Sequence, residues 1–148
     1  MWIALVPTSH AQNSQQDYLN AHNAARAQVG VANIKWDSIV AAYALNYTKS
    51  RIADCNLVHS EGRYGENLAK GSGSFTATAA VNLWVAEKPY YNYTSDDCTG
   101  GKQCLHYTQV VWADSVRLGF ARLQCSNLWW FVTCRYDPPG NYIGEHPN

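Results

Sequence analysis

The chain has 148 residues, 47% of them hydrophobic, with 11 basic side chains against 11 acidic ones. That length and apolar content support one domain with its own core and exclude a disordered chain. The balanced charge excludes the basic excess that a nucleic-acid partner needs, and no apolar run approaches the length of a transmembrane segment.

The N-terminus, MWIALVPTSHAQNS, has a short apolar core at Trp2–Val6 and a small-residue pattern at Ser9-His10-Ala11. It has the cleavage end of a signal peptide without the basic n-region, so 1–11 reads as a truncated remnant and 12–148 as a single domain. Ser14 caps a first helix over about 15–29, with Asp17 in its first turn; Tyr18, His22, Ala25 and Val29 share one face, and Gly30 ends it. Asp37 caps a second helix over about 38–53, where Ala41, Leu45, Thr48 and Ile52 form a stripe flanked by Val40, Ala44 and Tyr47. The Gly-rich stretch HSEGRYGENLAKGSGS reads as a long ordered loop. A third helix over about 76–87 stops before Pro89. The Tyr-rich loop PYYNYTSDDCTGGKQC follows, and LHYTQVVW forms one or two helical turns. Residues 116–125 and 128–136 alternate as strands of a hairpin joined around Ser126 and Asn127. Helices first and strands later make a layered α+β domain.

Five cysteines, at 55, 98, 104, 125 and 134, imply a disulfide framework and an oxidising compartment. Their odd number leaves a free thiol, an intermolecular bridge or a lost partner. Cys98 and Cys104 are near enough in sequence, with two glycines between, to close locally. Two sequons, at Asn46 and Asn92, fit secretion.

Four polar groups stand out as chemistry-bearing: His59 and Glu66 in the Gly-rich loop, Glu87 near the end of the third helix, and His106 opening the HYTQVVW turn. Converging, two imidazoles and two carboxylates can bind a divalent metal such as zinc, or form a mutually hydrogen-bonded network. Taken singly, each is more often structural, and His22 on its apolar face reads as a satisfied core histidine. No HExxH, G-x-S-x-G or P-loop is present. The aromatic run Pro89–Tyr93 reads either as a lipid or partner surface or as loop residues tucked over the core.

The stretches QDYLNAHNAARAQVGV, NYTKSRIADCNLVHS, GENLA, AVNLWVAEK, GGKQCLHYTQVVW, SVRLGF and WWFVTCRYDPPGNYIG cover nearly all of the chain after Gln12. Through them the sequence resembles the plant pathogenesis-related proteins of group 1, within the CAP superfamily. The resemblance implies a three-layer α-β-α sandwich with a central antiparallel sheet. It implies that His59, Glu66, Glu87 and His106 line the family's central cavity, with His59 and His106 as candidate zinc ligands and no cofactor required. It further implies a non-enzymatic, secreted defence protein of the apoplast rather than the vacuole, the tail having no extension past the family's usual end. Action against fungi and oomycetes would run through pathogen sterols or membrane lipids, with Tyr90, Tyr91 and Tyr93 as the lipid contact. The alternatives are a metal-dependent hydrolase using the cavity, or a precursor whose tail, 138–148, is released to a plant receptor.

The family's three bridges map here to Cys55–Cys125, Cys98–Cys104 and a third that lacks a partner, because Phe120 stands opposite Cys134. Cys134 is then the free thiol, and a hairpin turning near 126–128 sets it across from Phe120. Other departures are Arg135 for asparagine, Asn148 for tyrosine, Ala113 and Asp114 for arginine and asparagine, and Leu128 where the turn carries glycine. Arg135 and Asn148 flank the releasable tail and argue against its release.

Overall fold

The structure, a computed structural model, describes residues 13–60 and 62–148. The expected signal remnant at 1–11 lies outside the described residues. In chain order the elements are α1 (Gln15–Gln28), β1 (Lys35–Trp36), α2 (Ser38–Arg51), β2 (Gly65–Gly71), α3 (Ala77–Val85), β3 (Tyr91–Asn92), β4 (Asp97–Cys98), α4 (Leu105–Val110), β5 (Arg117–Gln124) and β6 (Trp130–Asp137). The main sheet has the order β1-β5-β6-β2; β3 and β4 form a separate two-stranded ribbon. The main sheet is antiparallel except for β1, a two-residue strand that runs parallel to β5. Helices cover both of its faces, giving the α-β-α sandwich.

Local chemistry starts the helices where the sequence places the caps. Ser14 and Asp17 exchange bonds in a capping box, and Asp37 accepts from the Ile39 and Val40 amides at 2.9 and 3.0 Å. The face of α1 formed by Tyr18, His22 and Ala25 is buried as its spacing predicts, but Arg26 is buried with it. The predicted stripe on α2 is rotated. Val40, Ala44 and Thr48 are buried, while Leu45 is exposed. The cause is Gly119 on β5: a Cβ there would lie 2.1 Å from the Ala41 backbone nitrogen. Bare backbone at that point lets α2 settle onto the sheet through its row of small residues.

The Gly-rich stretch is not a loop throughout. Seven of its residues are strand β2, paired along its length with β6 from Gly65↔Tyr136 to Gly71↔Trp130. Glycines at both ends and few β-branched residues hide the strand from sequence patterning. Gly65 is needed because a Cβ would meet the Gln109 side-chain oxygen at 2.3 Å.

Strand alternation sorts β6 between the two layers. Val132, Cys134 and Tyr136 join the large core with α1, α3 and α4. Phe131 and, by alternation, Thr133 and Arg135 face α2; Phe131 packs there with Leu68 and the Cys55–Cys125 bridge. Phe120 pairs with Cys134 in the register, and its ring stacks on Tyr18. Cys134 is a free, buried thiol, and Cys98 is bonded to Cys104. Leu128, in the hairpin turn, takes the left-handed conformation with φ 72°. Among the described residues no helix is long and apolar enough to cross a membrane.

His22 binds at both nitrogens: Nδ1–H donates to the Tyr18 carbonyl at 2.8 Å, and Nε2 accepts from the Tyr136 hydroxyl at 2.7 Å. Burial lowers its pKa from 6.5 to about 4, with the Arg26 charge adding to the shift and the Tyr18 carbonyl opposing it. The unfolded chain therefore takes up a proton in a range where the native chain does not. Stability is full above pH 6.5 and should fall by about 3 kcal/mol as pH drops through 6.5 to about 4. Urea unfolding across that range should show this loss, and His22→Gln should lose less. An equal acid loss in the variant would remove His22 as its cause.

Candidate functional site

The four polar groups singled out from sequence form two carboxylate–histidine pairs beside edge strand β2. Glu66 lies in β2 and meets His59, carried by the loop that follows α2; the Nδ1–Oε1 distance is 2.6 Å. Glu87 follows α3 in a short turn, one residue past its C-cap, and meets His106 in the first turn of α4; Nδ1 and Oε2 are 2.7 Å apart. The sequence places Glu87 inside the third helix, but the helix ends at Val85. Two residues beyond it, the carboxylate also accepts from the backbone amides of His106 and Tyr107 at 3.0 and 3.2 Å. Those are α4's otherwise orphaned donors, which Cys104 at the N-cap does not satisfy with its own side chain. Glu87 thus caps α4 from the turn that follows α3 and fixes the ring of His106 at the same time.

Glu66 is held more tightly still. Ser60 donates its hydroxyl to Oε2 at 2.7 Å and its amide to Oε1 at 3.0 Å. Arg135 Nη2 lies 2.6 Å from Oε2 as an ion pair, without hydrogen-bond alignment. In each pair the carboxylate holds Nδ1–H and leaves Nε2 as the free ring nitrogen. His59 is 65% exposed and His106 24%, so one imidazole opens to solvent and the other sits deeper. Between them is a cavity of about 480 Å³ whose lining includes His59, Glu66, Asn67, Lys102, Gln103, Leu105, His106 and Asn141. Asn67 links its floor to the core, donating to the His106 carbonyl at 3.0 Å and to the Tyr136 hydroxyl at 3.3 Å.

The donor set can be set against the needs of zinc. A catalytic zinc takes three protein ligands and a structural one four. Among the described residues no three His, Cys, Asp or Glu side chains form such a group. Both carboxylates are spent on imidazole Nδ1 atoms and on backbone or Ser60 donors, so among the described residues the site offers two nitrogens. These residues do not fit a resident zinc, and no reaction step through a metal follows from them.

The tyrosines of the 89–97 loop are in part committed to structure. Tyr91 donates to Asp96 at 2.8 Å; burial and then that bond raise its pKa. Tyr93 donates to the Asn148 carbonyl at 2.6 Å, and its ring packs on His146. Tyr90 and Tyr93 remain exposed, beside a pocket of about 190 Å³ lined by Val29, Lys88, Tyr91, Tyr93, Tyr107, Pro147 and Asn148. The tail is also held by the Ala113 amide on the Pro147 carbonyl and by Asn141 bonded to Leu105 and Thr108.

Sequence reasoning missed Ser60, Asn67 and Lys102 as parts of the site. Arg135 stood out only as a departure from the family pattern.

The family model for CAP, the cysteine-rich secretory protein family, matches residues 19–136, and the chain belongs to that family. It is similar to Pathogenesis-related protein 1B of Nicotiana tabacum, 60% identical over 148 residues that span 99% of this chain and 88% of that protein. It is likewise similar to Pathogenesis-related leaf protein 6 of Solanum lycopersicum, 58% identical over 147 residues, 99% of this chain and 91% of that one. Among solved structures, NaASP2 with Zn2+ aligns with TM-score 0.68 and 25% identity, covering 95% of this chain and 88% of that chain.

Proposed function

We propose that the chain is an extracellular plant defence protein acting on fungi or oomycetes by binding sterols or related membrane lipids, without catalysis. The similarity to pathogenesis-related proteins over nearly the whole chain supports the defence role. The two disulfides suit an oxidising, secretory route that ends in the apoplast. The observation that carries the lipid reading is the pair of exposed rings, Tyr90 and Tyr93, on a loop stapled by Cys98–Cys104 next to an aromatic pocket. Tyr and Trp suit surfaces where an apolar body must meet a polar rim. The pocket of about 190 Å³ is smaller than sites that enclose a whole drug-sized ligand. It suits the aliphatic end of a sterol, with the fused rings lying on Tyr90 and Tyr93.

Titration with ergosterol, sitosterol and stigmasterol should give saturable binding in the micromolar range. Tyr90→Ala with Tyr93→Ala should weaken it by about tenfold, the scale of losing aromatic contact area. Absence of saturable binding to all three sterols rejects the lipid reading.

A further inference from the structure

The resemblance implies a cavity that holds a divalent ion in some members, with asparagine where this chain has Arg135. The guanidinium of Arg135 is fully buried at 0% exposure. It lies 5.0 and 4.8 Å from the ring centroids of Tyr43 and Tyr47, and its Nη2 is 2.6 Å from Glu66 Oε2. No hydrogen bond of good geometry satisfies Nε or Nη1. Its compensation is therefore electrostatic: one carboxylate and two aromatic faces.

We propose that Arg135 is a built-in cation that takes the place of a divalent ion's charge at Glu66 and turns the cavity against divalent metals. A guanidinium is always protonated and, placed here, cannot diffuse away. It neutralises Glu66 from beneath, while Lys102 adds a second positive charge on the cavity wall. Among the described residues Glu66 is the carboxylate that lines the cavity, and it is outweighed by Arg135 behind it and Lys102 on the wall; Glu87 lies outside the lining, bonded to His106. A divalent ion between the His59 and His106 Nε2 atoms would meet no net negative charge and would be repelled by Arg135 through the low-dielectric interior. The same balance favours neutral or anionic polar groups as ligands. The inference does not depend on lipid binding, because the sterol contact lies on the Tyr-rich loop.

The test is zinc titration by calorimetry on the metal-free, disulfide-intact chain and on Arg135→Asn, Arg135→Gln and Arg135→Lys. The parent chain and Arg135→Lys should show no tight saturable site. The neutral variants should bind zinc at least about tenfold more tightly, and His106→Ala in the same background should abolish the gain. Zinc binding by the neutral variants no stronger than the parent's overturns the proposal. A tight one-to-one zinc site in the parent that disappears in His106→Ala overturns it without any Arg135 variant, so loss of folding in those variants does not shield it. Sterol titration of the same samples separates failure here from failure of the lipid reading.

Discussion

Arg26→Met should destabilise the fold by about 4 kcal/mol or more and lower the thermal midpoint by about 10 °C or more. Arg26 is fully buried, and among the described residues its hydrogen bonds go to backbone carbonyls. Its Nε donates to the Ala32 carbonyl at 2.8 Å, Nη1 to Val110 and Trp112 at 3.0 and 2.9 Å, and Nη2 to Ser115 at 3.0 Å. One side chain therefore satisfies carbonyls from the loop after α1, the end of α4 and the approach to β5. Methionine fills the space and takes the donor from the Ala32, Val110 and Ser115 carbonyls, while Trp112 keeps the Ser115 amide; each unsatisfied group in the interior costs about 1–3 kcal/mol. The loss is less than the sum, because burying the cation is itself costly. That cost is visible in its pKa, which burial lowers from 12.5 to about 10 against an opposing effect from Tyr136. Arg26→Lys should recover only part of the stability, since an ammonium cannot span the same fork. A loss below about 1 kcal/mol for the methionine variant would contradict this account.

The second large effect is the long bridge. Replacing both Cys55 and Cys125 by serine should cost about 4 kcal/mol, the chain-entropy value for a loop closed across 70 residues. The bridge also packs with Leu68 and Phe131, so serine hydroxyls would enter an apolar cluster. Thiol titration provides the parallel readout. The native parent should show no reactive thiol, because Cys134 is buried and burial pushes its pKa up. Unfolding without reductant should release one thiol in both the parent and the double variant. A parent chain with no thiol after unfolding would show that Cys134 is paired elsewhere.

The starts of α1 and α2 are legible in sequence because Ser14 and Asp37 signal locally, whereas the end of α3 is not: it stops at Val85, short of Glu87. The buried face of α2 was not legible either, because it is chosen by the absence of a side chain at Gly119, far away in sequence. β2 was hidden for a related reason: its pairing with β6 outweighs a composition that reads as loop. Arg26 lies four residues after His22, but a charged residue in a helix reads as solvent-facing until its carbonyl partners are known. The histidines and carboxylates were found as residues, yet which carboxylate serves which ring depends on the meeting of α3 with α4 and of β2 with the loop after α2. Glu87's capping role is invisible for the same reason. The cysteine pairing came from the family likeness, since spacing alone favoured only the short Cys98–Cys104 closure.

The two histidines of the cavity are borne by opposite layers of the sandwich. His59 hangs from the segment leaving α2, whose end is stapled to β5 through Cys55; His106 belongs to α4, on the far side of the sheet. Between them runs a single edge strand, with Glu66 and Asn67 as consecutive residues turned to opposite faces. The cavity mouth is consequently a seam: its two imidazoles belong to different helical layers, and its width is fixed by how those layers sit on the sheet. A molecule touching both imidazoles would act as a strut, converting local occupancy into resistance to shear across the whole domain.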